Sequence, residues 1–141
     1  MEDRLWEIPA DHMKRGKAHM VPLSDAALAV LAKANTFRLP DTGVVFPGSA
    51  GKPLSDMTLL KVLRDMAEPF HVHGFRSTFT DWAANEDFAD AVVEAALAHK
   101  TPDAVQAAYR RTTYLGTADQ PGARVKLMDA WGSFCIGGAV A

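Results

Sequence analysis

Hydrophobic and polar positions change their period along this chain. At the start, Leu5 and Glu7 alternate with Trp6 and Ile8, and that period of two predicts a strand over residues 4–8. A turn around Lys14-Arg15-Gly16-Lys17 precedes a second short strand over 18–23, so the two segments read as a β-hairpin. From there the period becomes helical. Ser24 with Asp25 predicts the cap of a helix ending near Asn35, with Leu28, Leu31 and Ala32 on its buried face. Residues 36–53 are rich in Gly and Pro, contain one short apolar piece, Val44-Val45-Phe46, and read as a long connection. Ser55-Asp56 predicts the cap of a helix through about Ala67, carrying Leu59, Leu60, Leu63 and Met66 at helical spacing and stopped by Pro69. Further helices are predicted over 74–85, 88–98, 102–111 and 123–134, with a loop at 117–122. The last helix carries Val125, Leu127, Met128 and Trp131, a face that either closes this chain's own core or docks onto a neighbouring protomer. The fold class is α+β and mostly helical: a small antiparallel β-hairpin followed by a helical bundle.

Composition narrows the picture. A chain of 141 residues with 48% hydrophobic and 23% charged positions has the make-up of one globular domain with a real core. Its single cysteine, Cys135, excludes an internal disulfide framework and agrees with a reducing, cytoplasmic setting. There is no positively charged leader followed by an apolar stretch, so neither export nor a membrane partner is expected. A formal charge of −2 argues against strong non-specific binding to nucleic acid, which depends on cations neutralising phosphates. Distribution matters more than the sum. Lys14, Arg15 and Lys17 form one basic stretch; Lys100, Arg110 and Arg111 surround Tyr109 against only Asp103. Asp81, Glu86, Asp87, Asp90 and Glu94 form an acidic stretch without a base. Such asymmetry permits a basic face opposite an acidic one, although on charge alone ordinary solvated surface charge is the commoner reading.

Three segments carry the candidate chemistry. They are Met13-Lys14-Arg15-Gly16-Lys17-Ala18-His19-Met20-Val21-Pro22-Leu23-Ser24, then Val72-His73-Gly74-Phe75-Arg76, then Leu97-Ala98-His99-Lys100 followed by Ala108-Tyr109-Arg110. His73 and Arg76, three apart at a helix start, share one face beside helical N–H groups that favour an anion. Arginine suits a phosphate clamp because its planar fork donates two parallel bonds and stays charged. As an ordered set the segments resemble the catalytic domain of tyrosine recombinases, the phage integrase family, and within it the integrases of satellite-phage and pathogenicity-island type. The resemblance runs from about Trp6 to Trp131. The separation of ten between His99 and Tyr109, where the broader family commonly has nine, agrees with that subgroup.

The resemblance implies an enzyme that cleaves and rejoins double-stranded DNA at attachment sites through a 3′-phosphotyrosine, integrating or excising a mobile element with neither cofactor nor metal. Tyr109 is then the nucleophile, His73, Arg76 and His99 surround the phosphate, and Lys14 is the mobile lysine that protonates the leaving oxygen. Lys14 is preferred over Lys17 by its distance to Pro22, and Tyr109 over Tyr114 by the Ala107-Ala108-Tyr109-Arg110 context. Lys14, Arg15, Lys17, Arg76, Lys100, Arg110 and Arg111 are the expected DNA contacts. Implied partners are other protomers, four on the DNA, and accessory DNA-bending or excision proteins, in a bacterial cytoplasm and on the nucleoid. Residues 1–141 read as a partial catalytic domain: the family's first catalytic arginine precedes the hairpin, as does its N-terminal core-binding domain, and Arg4 lies too close to Trp6 to supply that arginine. On this ground the chain alone is expected to be inactive, and a non-catalytic DNA-binding or interaction remnant stays open as the alternative.

Other features carry less. Gly48-Ser49-Ala50-Gly51-Lys52 lacks the first glycine of a phosphate-binding loop and is followed by Pro53 where the final Ser or Thr would stand. The five histidines show neither the helical spacing nor the cysteine partners of a zinc site. Trp6, Trp82 and Trp131 read as core or domain-edge aromatics.

Overall fold

A computed structural model describes residues 4–14, 16–40, 42–48, 51–99, 113–117 and 119–137. The predicted helix over 102–111, and with it Lys100, Tyr109, Arg110 and Arg111, lies outside the described residues, as does Arg15. Strand β1 (Leu5–Ile8) pairs antiparallel with β2 (His19–Pro22), Leu5 facing Pro22 and Ile8 facing His19. A short 3-10 turn (Ala10–His12) lies in the connection, and Gly16, at φ 59°, closes the tip by donating its amide to Met13 O. The helices are α1 (Asp25–Asn35), α2 (Thr58–Asp65), α3 (Gly74–Asn85), α4 (Asp90–Ala96) and α5 (Ala123–Cys135). The α+β, mostly helical class read from the pattern is the one observed, and no described helix is long and apolar enough to cross a membrane.

The core lies between α3, α4 and α5. Phe79, Trp82 and Ala83 of α3 meet Val92 and Val93 of α4 and Leu127 of α5, which is completely buried. Aromatic rings frame it: Trp131 stands edge-on to Phe79 at 5.2 Å between centroids and lies 5.1 Å from Trp82. Of the two roles open to the last helix, Leu127, Met128 and Trp131 therefore close the chain's own core. Trp6, 53% exposed on the hairpin, takes no part in it.

Two helices bury less than their pattern predicts. In α1 only Ala34 is buried; Leu28 and Leu31 are half-buried and Ala32 is exposed. In α2 nothing is buried, and Leu59 and Met66 are 58% and 63% exposed. Periodicity reports that a helix is amphipathic, but says nothing of whether a partner covers the apolar side. Capping divides them too. Ser24 Oγ accepts the Ala27 amide at 3.2 Å, as expected of an N-cap. Ser55 Oγ instead pairs with the Thr58 hydroxyl, and α2 starts behind Met57 with no side-chain cap.

Helix α5 crosses the start of α1 at close range. A β-carbon on Gly132 would lie 2.8 Å from Ser24 Cβ and closer still to the hydroxyl that caps α1. In an open helix Gly→Ala stabilises by about 1 kcal/mol. Here the added methyl displaces the cap, at about 1 kcal/mol, and overpacks a buried contact, at about 1–3 kcal/mol. Gly132→Ala is therefore expected to lower stability by about 1–3 kcal/mol, measured by denaturant unfolding; a gain in stability contradicts the contact.

Candidate active site

The segment Glu94-Ala95-Ala96-Leu97-Ala98-His99 contains no glycine, yet α4 stops within it. It ends in a Schellman turn: the His99 amide donates to Glu94 O at 3.0 Å, the Ala98 amide donates to Ala95 O, and Ala98 takes φ 54°. A left-handed alanine costs about 1–2 kcal/mol. The predicted boundary of 98 thus falls back to Ala96, and the turn sets His99 beside the helix end. There His99 Nδ1 lies 3.0 Å from Glu94 Oε2.

Arg76, in the first turn of α3, crosses to the same place. Its Nη2 donates to Leu97 O at 2.9 Å and to His99 Nε2 at 2.6 Å. A guanidinium only donates, so Nε2 is the acceptor, and Nδ1 must carry the hydrogen that Glu94 receives. The chain Glu94–His99–Arg76 thereby fixes the tautomer and orientation of the imidazole. The C-terminal carbonyls of α4 carry partial negative charge, which favours the cation. Both bonds use Nη2, so the edge formed by Nε and Nη1 faces no partner among the described residues and keeps the geometry for two phosphate oxygens. The site is open on one side and backed by an apolar cleft lined by Phe75, Phe79, Met128 and Trp131.

The other expected residues are placed less closely. His73 is the exposed N-cap of α3, on the same turn as Arg76, and its carbonyl accepts the Arg76 amide at 3.1 Å. The Gly74 and Phe75 amides donate to His71 O and Val72 O, so the N–H groups expected to receive an anion are already bonded. Lys14 and Lys17 are exposed in the connection between β1 and β2. Tyr114, the rival to Tyr109, packs against the core. Glu94, the last member of the acidic stretch, lies at this site beside His99. The Gly48–Gly51 turn bonds to itself, Gly48 N to Lys52 O and Gly51 N to Gly48 O, between bridged Pro47 and Pro53.

Two residues that no motif reading assigned join the hairpin to the helices. His19 Nε2 lies 3.2 Å from Ala96 O, and since a carbonyl only accepts, this nitrogen carries the hydrogen. Burial pushes the His19 pKa below the ordinary histidine value and the Arg124 charge adds to this, the Ala96 carbonyl opposing. Arg124, 4% exposed, donates from Nη2 to Met20 O and from Nη1 to Thr113 O at 3.2 Å. A sequence signal for it existed: Arg124 is a lone cation on the apolar stripe of Leu127, Met128 and Trp131.

The chain matches the phage integrase family over residues 1–115, a span that runs from the hairpin past Tyr109. It belongs to that family. It is 36% identical over 117 residues to prophage integrase IntA of Escherichia coli K12, covering 78% of this chain and 27% of that protein. Prophage integrase IntZ of the same strain is 35% identical over 120 residues, covering 82% and 29%, and the integrase of Shigella phage Sf6 is 30% identical over 118 residues, covering 81% and 31%. The chain thus spans less than a third of these integrases. No solved structure matches it.

A histidine held neutral by folding makes stability depend on pH. With the folded pKa lowered, the unfolded chain takes up a proton near pH 6.5 that the folded chain resists, so stability is lost as pH falls below about 6.5. Asp129, raised chiefly by burial, acts with the opposite sign in the carboxylate range, below that window. Melting temperature is expected to fall between about pH 7.5 and 5.5. In His19→Gln, whose amide can donate the same bond without titrating, the fall is expected to be shallower; parallel curves contradict the assignment.

Proposed function

We propose that residues 1–141 form the C-terminal part of the catalytic domain of a site-specific recombinase that cleaves and rejoins duplex DNA through a 3′-phosphotyrosine. The observation that carries this reading is the Glu94–His99–Arg76 chain, which leaves one edge of a fixed guanidinium for an anion in a member of the phage integrase family. A phosphodiester bound there presents its phosphorus to the Tyr109 oxygen. Attack forms the Tyr–O–P bond and breaks the bond to the 5′ oxygen. The phenolic proton passes to a neighbouring imidazole. His99 has one nitrogen bonded to Arg76 and the other to Glu94, which favours His73. Lys14 donates a proton to the departing 5′ oxygen. Rejoining reverses the sequence: a 5′-hydroxyl attacks the phosphotyrosine and tyrosine leaves. One phosphoester replaces another at each step, so no external energy source is needed. The protein supplies position and charge.

In this reading Lys14, Arg15, Lys17, Lys100, Arg110 and Arg111 contact the DNA, other protomers and accessory proteins complete the assembly, and the reaction takes place in the bacterial cytoplasm. The first arginine of the clamp comes from sequence before the hairpin. Arg4 does not serve: it is paired with Asp25 at 2.7 Å and donates to Leu23 O. The 141 residues alone are therefore inactive.

Within a complete integrase ending in this chain, Tyr109→Phe is expected to abolish the covalent adduct with a nicked attachment site, while Tyr114→Phe keeps it; an adduct in Tyr109→Phe removes the nucleophile assignment. Arg76→Ala is expected to slow adduct formation by about 10²–10³-fold, the size of effect seen when one charge-stabilising donor is lost. A drop below about tenfold contradicts the clamp.

A further inference from the structure

Arg124 lies outside every motif that marks the site, yet it is among the most deeply buried polar residues described. A buried guanidinium is costly unless its donors are bonded. Here Nη1 and Nη2 each meet a backbone carbonyl, while Nε finds no partner among the described residues. The two carbonyls come from segments far apart in sequence. Met20 is in β2, beyond the turn that carries Lys14; Thr113 stands four residues after Tyr109.

Resting on the function proposed above, we infer that Arg124 is a positioning residue for the general acid: it fixes strand β2, and through it the hairpin of Lys14, against the helices. The two ends of its bridge are unequally secured. The Thr113–Gly122 loop is held independently by backbone bonds, from Arg124 N to Tyr114 O, Gly122 N to Leu115 O and Thr117 N to Gln120 O. Strand β2 is tied to α5 and α4 by side chains, the Arg124 guanidinium and the His19 imidazole, while an Arg4–Asp129 ion pair at 3.5 Å ties the open end of the hairpin to α5. Losing the guanidinium therefore loosens the hairpin at its Lys14 end, away from the Arg4–Asp129 pair, and leaves the loop in place. Lysine does not replace it, because a single ammonium lacks the fork that spans two carbonyls.

The test uses a complete integrase ending in this chain and two nicked attachment sites, one normal and one with sulfur at the 5′ bridging position of the scissile phosphate. Sulfur leaves as a thiolate and needs little help from an acid. Lys14→Ala and Tyr109→Phe serve as references. Arg124→Gln is expected to bind DNA normally, cleave the normal site at least about tenfold slower, and recover most of that loss on the sulfur site. Arg124→Lys is expected to behave likewise, and it carries the test if Arg124→Gln does not fold. Equal losses on both sites, or no loss on the normal one, overturn the inference provided Lys14→Ala is rescued by sulfur. If Lys14→Ala itself is not rescued, the acid assignment beneath the inference fails, and the inference with it.

Discussion

The C-terminal end of α4 is the point on which the arrangement turns. A helix leaves its last carbonyls without intrahelical partners. Here two successive ones are taken by side chains from other elements: Ala96 O by His19 of β2 and Leu97 O by Arg76 of α3. Were α4 to continue another turn, the amides of residues 100 and 101 would claim both carbonyls. The left-handed Ala98 prevents this and sets His99 where Arg76 and Glu94 can hold it. One local strain, of about 1–2 kcal/mol, thus supports the docking of the hairpin, the direction of the arginine and the tautomer of the histidine.

The aromatic core makes that junction rigid. Trp82, Phe79 and Trp131 pack ring against ring between α3 and α5, so Arg76 emerges from a helix that cannot easily rotate. Phe79 and Trp131 also form the back wall of the cleft beside Arg76, placing low-dielectric material on one side of the charge and solvent on the other. In the proposed function an open face suits a substrate too large to be enclosed, and the apolar backing strengthens the attraction for an approaching phosphate.

Residues with local signals were legible in the sequence. The hairpin followed from alternation, α1 from the Ser24 cap, α3 from its start at Gly74, and His73, Arg76 and His99 from their ordered motifs. What the sequence hid depends on distant partners. Arg76 and His99 are 23 residues apart, so no period reveals that they touch. Nothing in Leu97-Ala98-His99 announces a left-handed residue, since alanine is the best helix former. The predicted helix over 88–98 lost both ends for this reason: Phe88 closes the Schellman turn of α3, donating its amide to Ala83 O, and Ala98 closes that of α4. In α2 the helical spacing was legible, but whether a partner covers its apolar side was not.

Glu94 bears on how the proposed phosphate site works in a chain of net charge −2. Its carboxylate lies beyond the imidazole of His99, on the side away from Arg76. A phosphate bonded to the free edge of the guanidinium is in direct contact with the cation, while the acid is more distant by at least the width of the ring. Coulomb interaction falls with distance, and salt screens exposed charges over about 8 Å, so the contact cation outweighs the farther acid. Meanwhile the acid orients the imidazole by accepting its Nδ1 hydrogen. Under the proposed function, the acidic stretch weakens long-range attraction to DNA without cancelling the local clamp, so that recognition relies on placement at short range more than on steering from afar.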